Sequence, residues 1–272
     1  MTEYSAARIF FKTIYARAYP RIVGSNRQLD WVFVEIALPL LGTIAMVFVY
    51  RALHAPAQYL GFVILGGAMM AFWQNVLWNM AVQFYWDRNM GNLEIYVTTP
   101  TRLSAVLLGM ALGSIPTISL RAGVILTIGS VLFGVRYSLE GLIPALGAFA
   151  LTLAALYGLG MLLASLFLFF GRNVENIGEA LQEPVYLASG LYFPVKALGA
   201  YAGGASSLIP LTLGLDAMRQ LLLPGTPEFI PLGWELILLG VQIPVYAVAS
   251  QFALAAMEFR ARRDGRLITK GT

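Results

Sequence analysis

The sequence predicts an all-α integral membrane protein with six transmembrane helices, an N-terminal interfacial amphipathic helix and a re-entrant segment before the last helix. Of its 272 residues, 58% are hydrophobic and 12% charged, about half the charged fraction of a typical soluble domain. The mean hydropathy is +0.73. Several apolar runs reach the roughly 20 residues that a helix needs to cross the hydrocarbon layer. Most of the chain is therefore expected to fold in a bilayer.

The N-terminal segment, residues 1–30, is predicted to form a cytoplasmic amphipathic helix that lies flat on the membrane. Its apolar residues recur at helical spacing between basic flanks: Phe11, Ile14, Tyr15 and Ala18. We expect Pro20 to end or kink this helix. The segment is too charged to suit a cleaved signal peptide, so we expect it to be retained. Either an anchor on anionic lipid or a coupling element would suit such a helix.

Residues 31–257 contain six apolar runs bounded by charged or turn residues, and each run predicts a transmembrane helix. The predicted helices are Trp31–Leu53, Tyr59–Trp86, Ala105–Val135, Leu142–Phe170, Gly178–Val195 and Trp234–Met257. Glycine and proline interrupt the stretch before the last helix, which we expect to be partly re-entrant and packed against other helices. We expect residues 258–272 to form a basic cytoplasmic tail.

The distribution of positive charge predicts the orientation. Thirteen of the 18 lysines and arginines precede the first predicted helix, follow the last one or fall in the even-numbered loops, and four lie on the other side. The positive-inside rule then predicts that both termini are cytoplasmic. We expect the protein to lie in the inner membrane of the cell. The same bias accounts for the sequence pI of about 9.4 without a nucleic acid as partner.

The sequence offers little for catalysis. It has no cysteine and one histidine, His54, so a histidine metal site or a Ser-His-Asp triad would depend on that residue alone. No Gly-x-x-x-x-Gly-Lys-Ser/Thr phosphate loop occurs. We expect no catalytic residue, metal or cofactor on this chain. If ATP drives its action, the free energy has to arrive through a contact with another protein.

Two motifs are the most informative features of the chain. The loop of residues 87–102 contains an Asp-Arg pair, then Gly-x-Leu-Glu, a short mostly apolar run and Thr-Pro. Residues 189–194 read Ser-Gly-Leu-Tyr-Phe-Pro, followed by Ile-Pro-Leu-Thr at 209–212 and Asp-Ala-Met-Arg at 216–219. In this order, with this length and number of spans, the motifs resemble the ABC-2 family of ABC-transporter permeases over nearly the whole chain.

The resemblance implies a coupling helix in the 87–102 loop that docks on a separate cytoplasmic ABC ATPase subunit, which binds ATP and Mg²⁺. The expected coupling residues are Arg88, Gly91, Leu93, Glu94, Ile95 and Pro100. Among them Arg88 and Glu94 would make polar contacts, and Leu93 and Ile95 apolar ones; a merely solvated connector is the alternative. The expected re-entrant segment includes Phe193, Pro194, Pro210, Asp216 and Arg219. The resemblance also implies a permease homodimer or heterodimer that exports a drug, lipid or lipid-linked glycan.

Polar residues inside the predicted spans are candidates for a translocation path. Asn75, Asn79 and Gln83 recur at every fourth position and would share one helix face, either as interhelical hydrogen-bonding groups or as a polar lining. Arg121 is costly at membrane depth unless it meets a carboxylate, a carbonyl or water. Glu35 in the first predicted span is a possible partner.

Three glutamates, Glu175, Glu179 and Glu183, also recur at every fourth position, where like charges repel on an isolated helix. They could pair with the basic tail or the ATPase, or line a cytoplasmic vestibule for a cationic substrate. Alternatively, water and the helix dipole stabilise Glu175 and Glu179 at the helix start. The candidate translocation path comprises Asn75, Asn79, Gln83, Arg121, Glu179 and Glu183.

Two other classes of function remain open beside an ATP-driven exporter. A transporter driven by an ion gradient would use Arg121 and Glu35 as its charge-carrying pair, but the sequence has no recognisable inverted repeat. A lipid-modifying membrane enzyme would need an interfacial acidic cluster, for which Asp216, Glu228 and Glu235 are the candidates.

Overall fold

The computed structural model describes residues 6–24, 29–170 and 173–264, and every regular element within these ranges is helical. The helices are α1 (Ala6–Gly24), α2 (Leu29–Ala52), α3 (Gln58–Gln74), α4 (Gln83–Asn89), α5 (Asn92–Thr98), α6 (Leu103–Phe133), α7 (Leu142–Phe170), α8 (Val174–Ala188), α9 (Gly199–Ser206), α10 (Pro210–Leu222) and α11 (Leu232–Asp264). A π-helical stretch, Asn75–Val82, joins α3 to α4, and a 3-10 turn, Val195–Leu198, precedes α9. The predicted all-α fold is confirmed.

Five helical stretches in the described residues are long and apolar enough to cross a membrane. They are Val32–Ala52, Gln58–Asn89, Leu103–Phe133, Leu142–Leu168 and Leu232–Met257, and they match five of the six predicted spans. The other prediction, Gly178–Val195, falls on α8, which has 15 residues and ends at Ala188. This length is below the roughly 20 residues of a full crossing, so the count of six spans stays a prediction.

The continuous helix formed by α3, the π-helical stretch and α4 is the centre of the bundle. In its 18-residue apolar stretch, 89% of the residues are buried, whereas 11% are buried in the corresponding stretch of Leu232–Met257. This central helix also defines two ends. We call them the Asp87 end, where α4 leads into α5, and the Arg219 end, where α3 begins and α10 ends.

Helix α1 packs lengthwise against the first half of α6. A Cβ on Gly109 would lie 2.8 Å from the carbonyl oxygen of Ile14, and a Cβ on Gly113 would lie 2.8 Å from Ala18. Two glycines four residues apart thus let the two backbones approach closely. The flat orientation of α1 on the membrane stays a prediction. Pro20 does not end α1, which continues to Gly24.

The chain between α8 and α11 enters the bundle and returns to the Arg219 end. After α9, Gln242 of α11 donates to the carbonyl oxygen of Ser207 at 2.6 Å. Helix α10 then packs on α7, where a Cβ on Gly214 would lie 1.9 Å from the Thr152 hydroxyl. Beyond it, the Ser138 amide donates to the carbonyl oxygen of Leu222 at 2.9 Å. This path is compatible with the re-entrant segment, which stays a prediction.

Candidate functional site

The short helix α5 has an inner and an outer face. Gly91 precedes it with a φ of 82°, a left-handed conformation that glycine adopts without strain. Leu93 is 1% exposed and packs in the core, whereas Ile95 is 60% exposed. Leu93 is therefore not the outward apolar contact that we expected, because it anchors α5 to its own bundle. Pro100 is exposed as well, and the side chain of Glu94 lies outside the described ones.

Arg88 points into the protein rather than away from it. Its Nη1 donates to the carbonyl oxygen of Leu168 at 2.8 Å, in the last turn of α7. Carbonyls at a helix C-terminus lack partners within the helix, and a cation there is favourable. The guanidinium that we expected to contact a partner protein is thus engaged within the chain.

A buried carboxylate joins three elements at the Asp87 end. Asp87, 3% exposed, forms an ion pair with Arg17 of α1. Its Oδ2 accepts from the Tyr96 hydroxyl of α5 at 3.2 Å, and its Oδ1 accepts from Gln83 at 3.2 Å. The Arg17 guanidinium also lies 5.5 Å from the centre of the Tyr96 ring. We call these four residues the Asp87 node.

A second arginine of α1 adds positive charge to the Asp87 node. Burial, and then the nearby Arg17, lower the pKa of Arg21 to about 10, while Asp87 opposes this shift. Arg21 is therefore still a cation at neutral pH. Burial also raises the pKa of Tyr96, so its hydroxyl stays protonated and can donate to Asp87.

Two tryptophans hold α8 against the central helix. The indole Nε1 of Trp78 donates to Gln182 at 2.7 Å, and that of Trp86 donates to Glu175 at 2.8 Å. The pairing is antiparallel, so α8 begins at the Asp87 end and runs toward the Arg219 end. Glu179 and Glu183 lie on its exposed face.

The polar residues predicted on one face of the central helix differ in their partners. Asn75 donates to the Ser114 hydroxyl at 2.8 Å and to the Tyr157 hydroxyl at 3.1 Å, which links three helices. Gln83 belongs to the Asp87 node, and Asn79 lines a cavity. Gln83 is separated from the cavity because it lies eight residues beyond Asn75, toward the Asp87 end.

The cavity lies between α2, the central helix, α6 and the turn after α8, and it has a volume of about 290 Å³. Its polar lining residues are Glu35, Gln74, Asn75, Asn79, Arg121 and Tyr192. Arg121 forms an ion pair with Glu35, the carboxylate that the sequence offered as a possible partner. We call this space the polar cavity. It brings together Asn75, Asn79 and Arg121 of the predicted path, but not Gln83, Glu179 or Glu183.

At the Arg219 end a fully buried guanidinium holds the turn after α8. Nη1 of Arg219 donates to Gly190 at 2.7 Å, and Nη2 donates to Leu191 at 2.9 Å and to Phe62 at 3.0 Å, all through backbone carbonyls. The guanidinium also stacks on the Phe62 ring, 3.2 Å from its centre. We call these contacts the Arg219 clamp. It fixes the turn that leads into Phe193 and Pro194.

Two of the three acidic residues that suggested an enzyme are part of the packing between α10 and α11, and the third, Glu228, is exposed in the loop between them. Asp216 and Glu235 are 2% and 0% exposed. Gln220 donates to both, at 3.2 Å and 3.1 Å, and Asp216 accepts from the backbone amide of Phe229 at 2.9 Å. Because a glutamine and a backbone amide occupy these carboxylates, the cluster contributes to structure at this position.

The fold and these contacts define a multi-pass helical membrane protein with a short helix attached to the loop between its second and third membrane-spanning stretches. The family model described as ABC-2 type transporter matches residues 10–223, and the chain belongs to this family of ABC-transporter permeases. A search of curated proteins finds no match. Membership implies a membrane transport subunit that associates with a cytoplasmic ABC ATPase and generally has no ATPase site or cofactor of its own.

Proposed function

We propose that this permease is the membrane subunit of an ATP-driven exporter of hydrophobic or amphipathic molecules, such as a drug, a lipid or a lipid-linked glycan. A separate ATPase would act on it through the 87–102 loop. The observation that carries the proposal is the construction of α5, which buries Leu93 and presents Ile95 outward. An exposed apolar side chain on a rigidly attached helix suits a protein contact.

The Asp87 node supports a role in transmission. A displacement of α5 would act on Asp87 through Tyr96, and on α1 through Arg17. Because α1 packs along α6, the same displacement would reach a membrane-spanning helix. Arg88 provides a second route, since it connects α4 to the end of α7.

The orientation follows from charge and family. We place both termini and the 87–102 loop in the cytoplasm, with the permease in the inner membrane as a homodimer or heterodimer. The excess of lysine and arginine at the termini and in this loop supports the orientation. Family membership favours this function over a gradient-driven transporter or a lipid-modifying enzyme.

Co-purification tests the proposal. The tagged permease is extracted from its native membrane in mild detergent, and mass spectrometry identifies the proteins that accompany it. We expect an ATPase with a Walker A motif to accompany the wild type in a stoichiometric amount. An Ile95→Asp variant should lose it, because a carboxylate would be desolvated in the contact, and Glu94→Arg should weaken it.

Leu139→Asp is the matched control, since Leu139 is 85% exposed and lies in the loop at the Arg219 end. This variant should retain the ATPase. Absence of an ATPase from the wild type, or equal retention by Ile95→Asp and Leu139→Asp, would refute coupling through α5.

A further inference from the structure

We propose that the polar cavity binds the ammonium head of an amphiphile whose alkyl tail lies outside it. The cavity volume of about 290 Å³ lies at the lower limit of the roughly 300–1,000 Å³ of sites that bury whole drug-sized ligands. It is therefore suited to a head group. Val34 and Leu38 of α2 contribute exposed apolar side chains to its wall, where a tail would find apolar contacts.

The accessible charge in the cavity is negative. The side chain of Arg121 is 9% exposed and that of Glu35 is 26% exposed, so the carboxylate is the more open member of the pair. Oε2 of Glu35 is buried against Arg121, which leaves Oε1 as the oxygen available to a ligand. The guanidinium behind it lowers the cost of holding a carboxylate at membrane depth.

Two further residues of the lining also favour a cation. The amide nitrogen of Asn75 is committed to Ser114 and Tyr157, so this residue offers only its carbonyl oxygen to the cavity. Tyr192 belongs to the lining, and aromatic residues attract ammonium groups. A ligand with an anionic head would instead meet Glu35 before it could reach Arg121.

The binding site does not require ATP coupling, but the conclusion that its occupant is cargo rests on the proposed function. The same head chemistry occurs in ethanolamine membrane lipids and in transported cationic amphiphiles. Binding measured on the permease alone separates the two proposals. If the permease binds the ammonium probe but no ATPase co-purifies with it, only the exporter proposal is refuted. If an ATPase co-purifies but the probe does not bind, only the proposed site is refuted.

The experiment compares three probes that share a hexadecyl tail and differ in their heads: trimethylammonium, sulfate and neutral maltoside. Native mass spectrometry of the detergent-purified full-length chain counts the molecules retained. We expect one trimethylammonium probe per chain, bound at least tenfold more tightly than the other two probes. Equal retention of the three probes would overturn the proposal.

Three variants locate the binding. Gly42→Phe fills the cavity without altering its charges, since a Cβ at Gly42 meets nothing within 4 Å, and it should weaken trimethylammonium binding at least tenfold. Glu35→Gln should reverse the preference toward sulfate, because Arg121 loses its partner. Glu179→Gln removes an exposed carboxylate of α8 and should change nothing. If Glu35→Gln does not fold, Gly42→Phe alone decides, and unaltered binding in Gly42→Phe refutes the site.

The lipid that co-purifies with the permease identifies the source of the natural ligand. If phosphatidylethanolamine is retained by the wild type, absent from Gly42→Phe and displaced one for one by the trimethylammonium probe, the occupant is a membrane lipid. If the probe binds without displacing lipid, the site accepts a cationic amphiphile from outside the lipid pool.

Discussion

Arg219 and Arg17, at opposite ends of the bundle, are held in different ways. At the Arg219 end the guanidinium is fully enclosed and bonds only to backbone carbonyls, which cannot move without moving the main chain of α3 or of the turn after α8. At the Asp87 end, Arg17 bonds to a side chain and is 29% exposed. Side-chain partners can exchange or reorient at little cost, especially with Arg21 beside them. We infer that the Arg219 end is a fixed support and that the Asp87 end is the part able to respond to a partner.

The largest expected effect is the loss of folded protein on replacing Arg219 with alanine. Three backbone carbonyls would lose their donor in a buried site, and each unsatisfied group costs about 1–3 kcal/mol. We expect at least about 3 kcal/mol of destabilisation by this account, seen as a large drop in the unfolding temperature in detergent. Arg219→Lys should recover part of it, because an ammonium can reach some of the same carbonyls. A wild-type unfolding temperature in Arg219→Ala would show that the clamp is dispensable.

Gly66→Ala should break the same clamp from the opposite side. A Cβ at Gly66 would lie 1.9 Å from the carbonyl oxygen of Leu191, so α3 and the turn after α8 would have to separate. Overpacking of this kind typically costs about 1–3 kcal/mol, measurable as a lower unfolding temperature. Gly147→Ala is the control, since a Cβ there meets nothing within 4 Å. It should be neutral or slightly stabilising, because alanine favours a helix; equal effects in the two variants would contradict the steric argument.

The response of the Asp87 end should appear in transport rather than in folding. Asp87→Asn keeps a hydrogen-bonding group but removes the charge that pairs with Arg17. We expect ATP-dependent transport in proteoliposomes to fall about tenfold, equivalent to about 1.4 kcal/mol, while the unfolding temperature changes less than in Arg219→Ala.

Arg17→Gln serves as the matched variant for Asp87→Asn. Its effect on transport should be smaller, since Arg21 still compensates the carboxylate. The double variant should resemble Asp87→Asn alone, because the two residues act through one contact. A loss of folding in Asp87→Asn as severe as in Arg219→Ala would remove the distinction between the two ends.

The features that the sequence could predict are those that the bilayer imposes. Apolar runs of spanning length and an intramembrane arginine that needs a carboxylate both follow from the cost of polar groups in lipid, and the Arg121 and Glu35 pair was found in this way. The Asp87 node was missed because Arg17 and Asp87 are 70 residues apart, a separation without any local pattern.

Other misses have a local physical cause. Asn75 and Asn79 share the polar cavity as their spacing predicts, whereas Gln83 lies too far along the helix to reach it and bonds to Asp87 instead. Leu93 and Ile95 are both apolar residues of a short helix, so composition alone could not say which one turns inward. Their burial depends on the neighbouring helices.

The smallest expected effects come from the two indole hydrogen bonds of α8, and they extend the comparison to a single helix. Trp78→Phe removes a partly buried bond to Gln182, and such a bond typically contributes about 0.5–1.5 kcal/mol. Trp86→Phe removes an exposed bond to Glu175, where water can replace the indole. We expect Trp78→Phe to lower the unfolding temperature measurably and Trp86→Phe to leave it nearly unchanged. The reverse order would mean that α8 is attached mainly at the Asp87 end, and that end would then be less free to respond than the contacts of Asp87 indicate.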